Sequence, residues 1–268
     1  MIMMDTPNSH LVAVARSLML SETEENRIAT SISTLQTRLN SWFGQEVIQH
    51  FRFGSSVRDT ILPRKVDEGS DIDYMVVFNN PFQLKPATLL DKLRRFANYY
   101  YSRSEIHQDH PTMVLELNHI KFELVPAYQT SYWSDFYNIP APSSNYIDWL
   151  STNPSEIKQK VDSANKLYNY QIKRLIRLLK YWNVRNNMVY SSFDLEEHIA
   201  GRLFYFCTSL EDYFYDAVAY LPTYTLPQYK KDTVKQLQEK VAEIKANYYN
   251  NGFKYSALGE LKKLLPIP

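Results

Sequence analysis

Three acidic residues stand in apolar surroundings. Asp71 and Asp73 open the run Asp71-Ile72-Asp73-Tyr74-Met75-Val76-Val77-Phe78, and Glu123 lies within Phe122-Glu123-Leu124-Val125-Pro126. Both runs read as buried strands. Residues two apart on a strand share a face. Asp71 and Asp73 are therefore predicted to repel each other unless a cation lies between them. Alternation puts Glu123 opposite Phe122 and Leu124, so in a neighbouring strand it would complete a three-carboxylate cluster. Hard divalent ions such as Mg²⁺ bind through carboxylates together with substrate phosphates. Two of them about 4 Å apart activate an attacking oxygen and stabilise a leaving one. Glu116, on the preceding strand, reads as a surface partner for a lysine.

Other residue groups offer weaker signals. Gly54 permits a sharp turn at a strand end, and Ser55 and Ser56 then present hydroxyls and N–H groups at the start of a short helix, a place for an anion. Alone, that turn is an ordinary helix cap, and an Asp-x-Asp alone is an ordinary solvated strand start. Lys173, Arg177 and Lys180 share one helix face, opposite Ile172, Leu175, Ile176 and Leu179, and read by themselves as a solvated cationic ridge. His107, His110 and His119, with Asp109, lack a partner set at ligand spacing and read as surface loop residues. Cys207 reads as core within an apolar helix.

The elements that must position these groups follow from periodicity and punctuation. Ser21-Glu22-Thr23-Glu24 is a capping box, and Ile28, Ile32, Leu35, Leu39 and Trp42 recur on one helical face, ending near Gly44. Strands are predicted at 47–53 and 71–78, with a loop at 61–70 between them. A helix follows at 87–101. Strands 112–117 and 120–125 form a hairpin turning at Asn118-His119, closed by Pro126. Residues 128–154, rich in Pro, Ser, Asn and aromatics, read as a long crossing loop. Beyond it the pattern is helical, at 167–182, 193–207, 213–220 and around 234–244, with a short last helix before Pro266. The fold class is α+β: a mixed-sheet lobe at 1–154, an all-α lobe at 155–268, and a cleft between them.

Taken together, Gly54-Ser55, Asp71-x-Asp73 and Glu123 resemble the nucleotidyltransferase superfamily related to DNA polymerase beta. The wider string from Gly54 to Thr60, with Ser70-Asp71-Ile72-Asp73 and Leu124-Val125-Pro126-Ala127, is similar to the bacterial cGAS/DncV-like enzymes, the second-messenger oligonucleotide synthetase (SMODS) group. The resemblance covers roughly residues 20 to 210. It implies a polymerase-beta-like catalytic lobe and a metal-dependent, two-metal nucleotidyltransferase. Asp71, Asp73 and Glu123 would be its catalytic and metal-ligating residues, holding two Mg²⁺ or Mn²⁺ ions. Glu123 departs from the Asp usual in the family, and its longer side chain can still ligate.

The resemblance further implies that Gly54, Ser55, Ser56, Lys180 (in Leu178-Leu179-Lys180-Tyr181-Trp182) and Ser192 contact the nucleotide, with Lys173 and Arg177 beside Lys180. The implied substrate is a nucleoside triphosphate, and the product an oligonucleotide signal in anti-phage defence, received by a membrane effector protein encoded nearby. Compact size resembles the Hailong branch, whose enzymes polymerise dATP from a tyrosine near the C-terminus. Tyr248, Tyr249 and Tyr255 are the candidate priming residues, and packing against the helical lobe is the alternative for them. Two further readings stay open: transfer of a single nucleotide to tRNA, a protein or a small molecule, and a degenerate nucleotide-binding module acting as an antitoxin.

Composition bounds these readings. Only 6 glycines occur in 268 residues, where average usage gives roughly 19. Neither a G-x-G-x-x-G loop nor a G-x-x-x-x-G-K-[ST] loop is present, so any phosphate grip must be built otherwise. A net charge of +1 excludes a global basic field for duplex nucleic acid. One cysteine excludes an intramolecular disulfide and a cysteine-rich zinc site. The absence of a signal-peptide pattern or a long apolar run points to the cytoplasm. Of the 21 tyrosines, most read as packing residues with a polar tip.

Overall fold

In the computed structural model, residues 5–80, 83–109, 111–131, 134–141 and 147–268 are described; the sequence reading of His110 lies outside them. The chain divides into two compact units. One comprises residues 20–64 and 68–159. The other gathers residues 5–19, 65–67 and 160–268.

Helix α1 (Pro7–Ser17) belongs to the second unit. The capping box of Thr6 with Ser9 and the proline at its first position start it. The sequence pattern gives Ser21 as the first helix start, and α1 precedes it with a serine, not an acid, three residues past its cap. An acid at that place starts α2 (Glu22–Phe43): Ser21 Oγ accepts from Glu24 N at 3.3 Å, and Ser21 N donates to the Glu24 carboxylate at 2.9 Å. Gly44, at φ 51°, ends α2. Phe43 enters the core where Trp42 was predicted, and Trp42 is partly exposed against Tyr99.

The sheet unit continues with β1 (Val47–Arg52), β2 (Asp71–Phe78), α3 (Pro86–Tyr100), β3 (Glu105–Asp109), β4 (Thr112–Leu117) and β5 (Ile120–Ala127). The sheet order is β1-β2-β5-β4-β3. β2 and β5 run parallel, and the other pairs are antiparallel. His107 and Asp109 lie on the edge strand β3 rather than in a loop. β5 runs through Pro126. Pairing with β4 stops at Leu124, so a residue without an N–H sits past the end of that ladder.

The two sheet faces differ. Ile72, Tyr74, Val76 and Phe78 of β2, with Ile120, Phe122 and Leu124 of β5, join α2 and α3 in the main core. The other face carries Asp71 and Asp73, then Met75 and Val77, on β2. On β5 it carries Lys121 and Glu123, then Val125 and Ala127. Met75, Val77 and Ala127 form a smaller apolar cluster with Phe51, Phe53, Tyr137 and Ile139. The second face is thus charged where the strands begin and apolar where they end. Part of the predicted loop is a hairpin, β6 (Tyr137–Pro140) with β7 (Trp149–Thr152).

Helix α4 (Pro154–Leu167) leads into the helical unit: α5 (Ile172–Arg185), α6 (Ser192–Gly201), α7 (Leu210–Ala219), α8 (Gln228–Tyr249) and α9 (Lys254–Leu264). Within this unit α1 packs on α5, α7 and α9. Asn169 and Tyr170, both at positive φ, separate α4 from α5, so the predicted helix from Leu167 starts instead at Ile172. α6 ends at Gly201 because Arg202 is extended. Cys207 therefore lies half-buried in the connection to α7 and not in a helix core. Among the described residues no helix is long and apolar enough to cross a membrane.

Candidate functional site

The parallel pairing of β2 with β5 places Asp71 beside Lys121 and Asp73 beside Glu123. Alternation points all four to the same face, and the sequence expectation that Glu123 joins the two aspartates is met at the level of register. The side chains are arranged differently from the closed triad expected. Lys121 Nζ donates to Asp71 Oδ2 at 3.2 Å and to Glu123 Oε1 at 3.0 Å. Among the described residues no three His, Cys, Asp or Glu side chains form a ready-made metal cluster. Carboxylates this close repel, and the ammonium between two of them is the charge that offsets this repulsion.

The electrostatics agree with that geometry. Burial and then the Glu123 charge push the Asp71 carboxyl up to about 6, against the opposing pull of Lys121. Burial works against the Lys121 ammonium, but its bonds to Glu123 and Asp71 outweigh this and hold its pKa above the usual lysine value. The oxygen-rich donor set and the unfavourable carboxylate pair suit a hard divalent cation, so the residues fit the metal that the sequence implies. Lys121 was not singled out from the sequence. The alternation that placed Glu123 places Lys121, two residues earlier, on the same face.

Asp73 is seated on Gly54. Gly54 adopts φ 72°, and a Cβ there would fall 1.6 Å from Asp73 Oδ2. Phe53 N donates to Asp73 O at 3.0 Å, which fixes the Gly54 turn to the second aspartate. The predicted short helix is a single 3-10 turn, Gly54–Ser56, too short to bring a helix dipole to an anion. Ser56 Oγ donates to Phe53 O at 3.3 Å, while the Ser55 carbonyl accepts from Arg58 N and Thr60 N. Ser70 Oγ donates to Leu62 O at 2.7 Å and anchors the loop that enters β2. A cavity of about 270 Å³ opens beside Asp71, lined by Ile28, Ile61 and Ile120 and by the charged residues Glu24, Arg27 and Arg64. Glu116 pairs with Arg64 at 3.3 Å, not with a lysine, because Lys121, its cross-strand neighbour, turns to Asp71 and Glu123.

In the helical unit, the predicted solvated ridge is buried. Arg177 and Lys180 are both core residues of α5. Lys180 Nζ donates to Glu196 Oε1 at 3.1 Å, and both side chains are nearly inaccessible. Helix α5 is covered on more than its apolar stripe, so its cations need internal partners. Lys173 Nζ meets Asp162 Oδ1 at 2.8 Å. Ser192 occupies the first turn of α6, whose cap is Ser191, accepting from Asp194 N at 3.0 Å.

The tail tyrosines have unequal surroundings. Tyr249 donates its hydroxyl to the buried Glu211 at 2.6 Å, and burial followed by the Glu211 carboxylate raises its pKa further. Tyr248 stacks edge-on against Tyr249 with Lys254 over its ring. Tyr255 is 92% exposed.

Known proteins show the same frame. A probable cyclic nucleotide synthase of Bacillus cereus (strain VD146) is 29% identical over 189 residues, covering 57% of this chain and 54% of that protein. The chain thus matches about half the length of this curated relative. The Vibrio cholerae DncV cyclic AMP-GMP synthase superposes with a TM-score of 0.77 at 12% identity, covering 96% of each chain. The Bradyrhizobium diazoefficiens CD-NTase CdnG, solved in complex with GTP, superposes with a TM-score of 0.71 at 12% identity, covering 97% of this chain and 99% of that one. At such identities these two show a shared fold. The model of the Second Messenger Oligonucleotide or Dinucleotide Synthetase domain matches residues 4–165. That match takes in both β2 and β5 and more than half of the sequence, and by it the chain belongs to the second messenger oligonucleotide or dinucleotide synthetase family.

Proposed function

We propose that this protein is a nucleotidyltransferase that joins nucleoside triphosphates into a short oligonucleotide signal. The observation that carries the reading is the register of β2 with β5, which aligns Asp71 and Asp73 with Lys121 and Glu123 on one face. Family membership and the names of the relatives support it.

In the proposed reaction a nucleotide hydroxyl attacks the α-phosphorus of a second nucleotide. An O–P bond forms, the bond from the α-phosphorus to the β-bridging oxygen breaks, and pyrophosphate leaves. The hydroxyl proton passes to a carboxylate of the site. Asp71, Asp73 and Glu123 would hold two Mg²⁺ or Mn²⁺ ions, which would supply the positive charge that this step needs. Gly54 keeps Asp73 in place, and Ser55 and Ser56 lie in the same turn to meet phosphate oxygens. Lys180, which the resemblance assigns to the nucleotide, is buried against Glu196 and is read as part of the helical fold.

Among primers and substrates, dATP started from a tail tyrosine is one specific form of this reading. The exposure of Tyr255 favours it over Tyr249, whose hydroxyl is engaged. The product would act on a separate effector protein in anti-phage defence, with synthesis in the cytoplasm. The test is incubation of the full chain with each NTP and dNTP plus Mg²⁺ or Mn²⁺, followed by product mass. Oligonucleotide and pyrophosphate are expected. A single-nucleotide adduct on RNA or on another protein, or tight binding without turnover, would overturn the proposal.

A further inference from the structure

We propose that Lys121 is a tethered counter-ion, whose ammonium holds Asp71 and Glu123 together before a divalent cation enters and must be displaced by it. The inference rests on the carboxylate site proposed above, and it concerns a residue outside the three acids.

The geometry is specific. Lys121 and Glu123 are two residues apart on β5, and Asp71 is the cross-strand partner of Lys121 on β2. One ammonium reaches both acids, at 3.2 and 3.0 Å. All three side chains are about one-fifth exposed, so solvent screens them little. A charge at this spacing in a partly buried site has a substantial interaction. A divalent cation bound between the same oxygens would meet like charge from the lysine, and the two compete for one position.

The fold also offers the displaced ammonium a destination. Glu116 is directly across from Lys121 on β4, close enough for opposed side chains to interact. Its partner Arg64 leaves oxygen capacity on that carboxylate. Lys121 thus stands between two acidic partners, Asp71 with Glu123 on one side and Glu116 on the other. Movement of a single side chain from the first to the second would clear the site. Until that movement the lysine holds Asp71 and Glu123 in place, and it weakens the binding of free metal. Metal accompanied by triphosphate gains from the added anionic charge, so the device favours loading of metal with substrate over loading of metal alone.

The experiment measures Mn²⁺ binding to the full chain without nucleotide, by the paramagnetic resonance of free Mn²⁺. Wild type is compared with Lys121→Met, Lys121→Gln, Lys121→Arg and Asp71→Asn, each first shown to be folded by its urea midpoint. Removal of the charge in Lys121→Met or Lys121→Gln is expected to tighten Mn²⁺ binding at least tenfold, with Lys121→Arg close to wild type. Unchanged or weaker binding in both folded neutral variants would overturn the counter-ion role. Asp71→Asn tests the underlying reading separately. It should lose Mn²⁺ binding, and retained binding there would remove the carboxylate site itself.

Discussion

Gly54 and Asp73 are in contact across the start of the sheet: the carboxylate of Asp73 occupies the space that any side chain at position 54 would need, 1.6 Å from an ideal Cβ. The two residues are thereby one device. Gly54→Ala meets both a φ of 72°, which L side chains rarely adopt, and this overlap. The expected outcome is a loss of product formation of at least 100-fold, because Asp73 must move. The stability cost should be about 1–3 kcal/mol, as for a non-glycine residue held in a strained backbone region. Product mass and urea denaturation measure the two effects, and full turnover by a folded Gly54→Ala would show that Asp73 needs no seat.

Asp71→Asn and Asp73→Asn should each remove NTP turnover without unfolding the protein. Asp71 is held at a pKa of about 6 by burial and by Glu123, so its ionised form burdens the metal-free fold. Neutralising it is expected to leave the urea midpoint unchanged or slightly higher, while pyrophosphate release stops. Undiminished NTP consumption in both variants would remove the site assignment. Chelation of divalent ions in the wild type should stop turnover in the same assay and leave the helical signal in circular dichroism intact.

Lys180 and Glu196 provide a separate test in the helical unit. Removing one partner of a buried pair leaves an uncompensated charge, a loss of about 3–5 kcal/mol. Lys180→Met and Glu196→Leu should each show a loss of that size by urea denaturation, and the double variant should recover part of it. If Lys180→Met keeps its stability and only raises KM for nucleotide, the lysine serves phosphate rather than the fold.

For the tail, intact-mass and peptide mass spectrometry after incubation with dATP and Mn²⁺ is expected to place any nucleotide adduct on Tyr255, and Tyr255→Phe should abolish it. Tyr249→Phe should instead act on stability. It removes the 2.6 Å bond to Glu211, and loss of a bond to a buried charged group costs about 1–3 kcal/mol. An adduct on Tyr249 would reverse this ordering.

Much of the sheet unit was legible because its signals are local. The Ser21 capping box, the Asn118-His119 turn and the alternation in β2 and β5 each specify their element within a few residues. Alternation also placed the three acids on one face, though not their arrangement, which depends on a neighbour of opposite charge. The misreadings arose where tertiary surroundings decide. The ridge of Lys173, Arg177 and Lys180 has the spacing of a solvated face, yet α5 is enclosed, and Lys173 and Lys180 find acids on α4 and α6. The hairpin β6–β7 is short and lies in a Pro- and Ser-rich stretch, without a periodic run to reveal it. Helix α1 was missed because its cap partner is a serine.

The parallel neighbours β2 and β5 also have a consequence for how the protein comes into being. β5 meets β4 across a two-residue turn, whereas its pairing with β2 must close a loop of about 50 residues, an entropic cost that local hairpins avoid. Bringing the acids face to face is therefore a non-local closure of the chain. Under the proposed function, the carboxylate site is complete only when the sheet is.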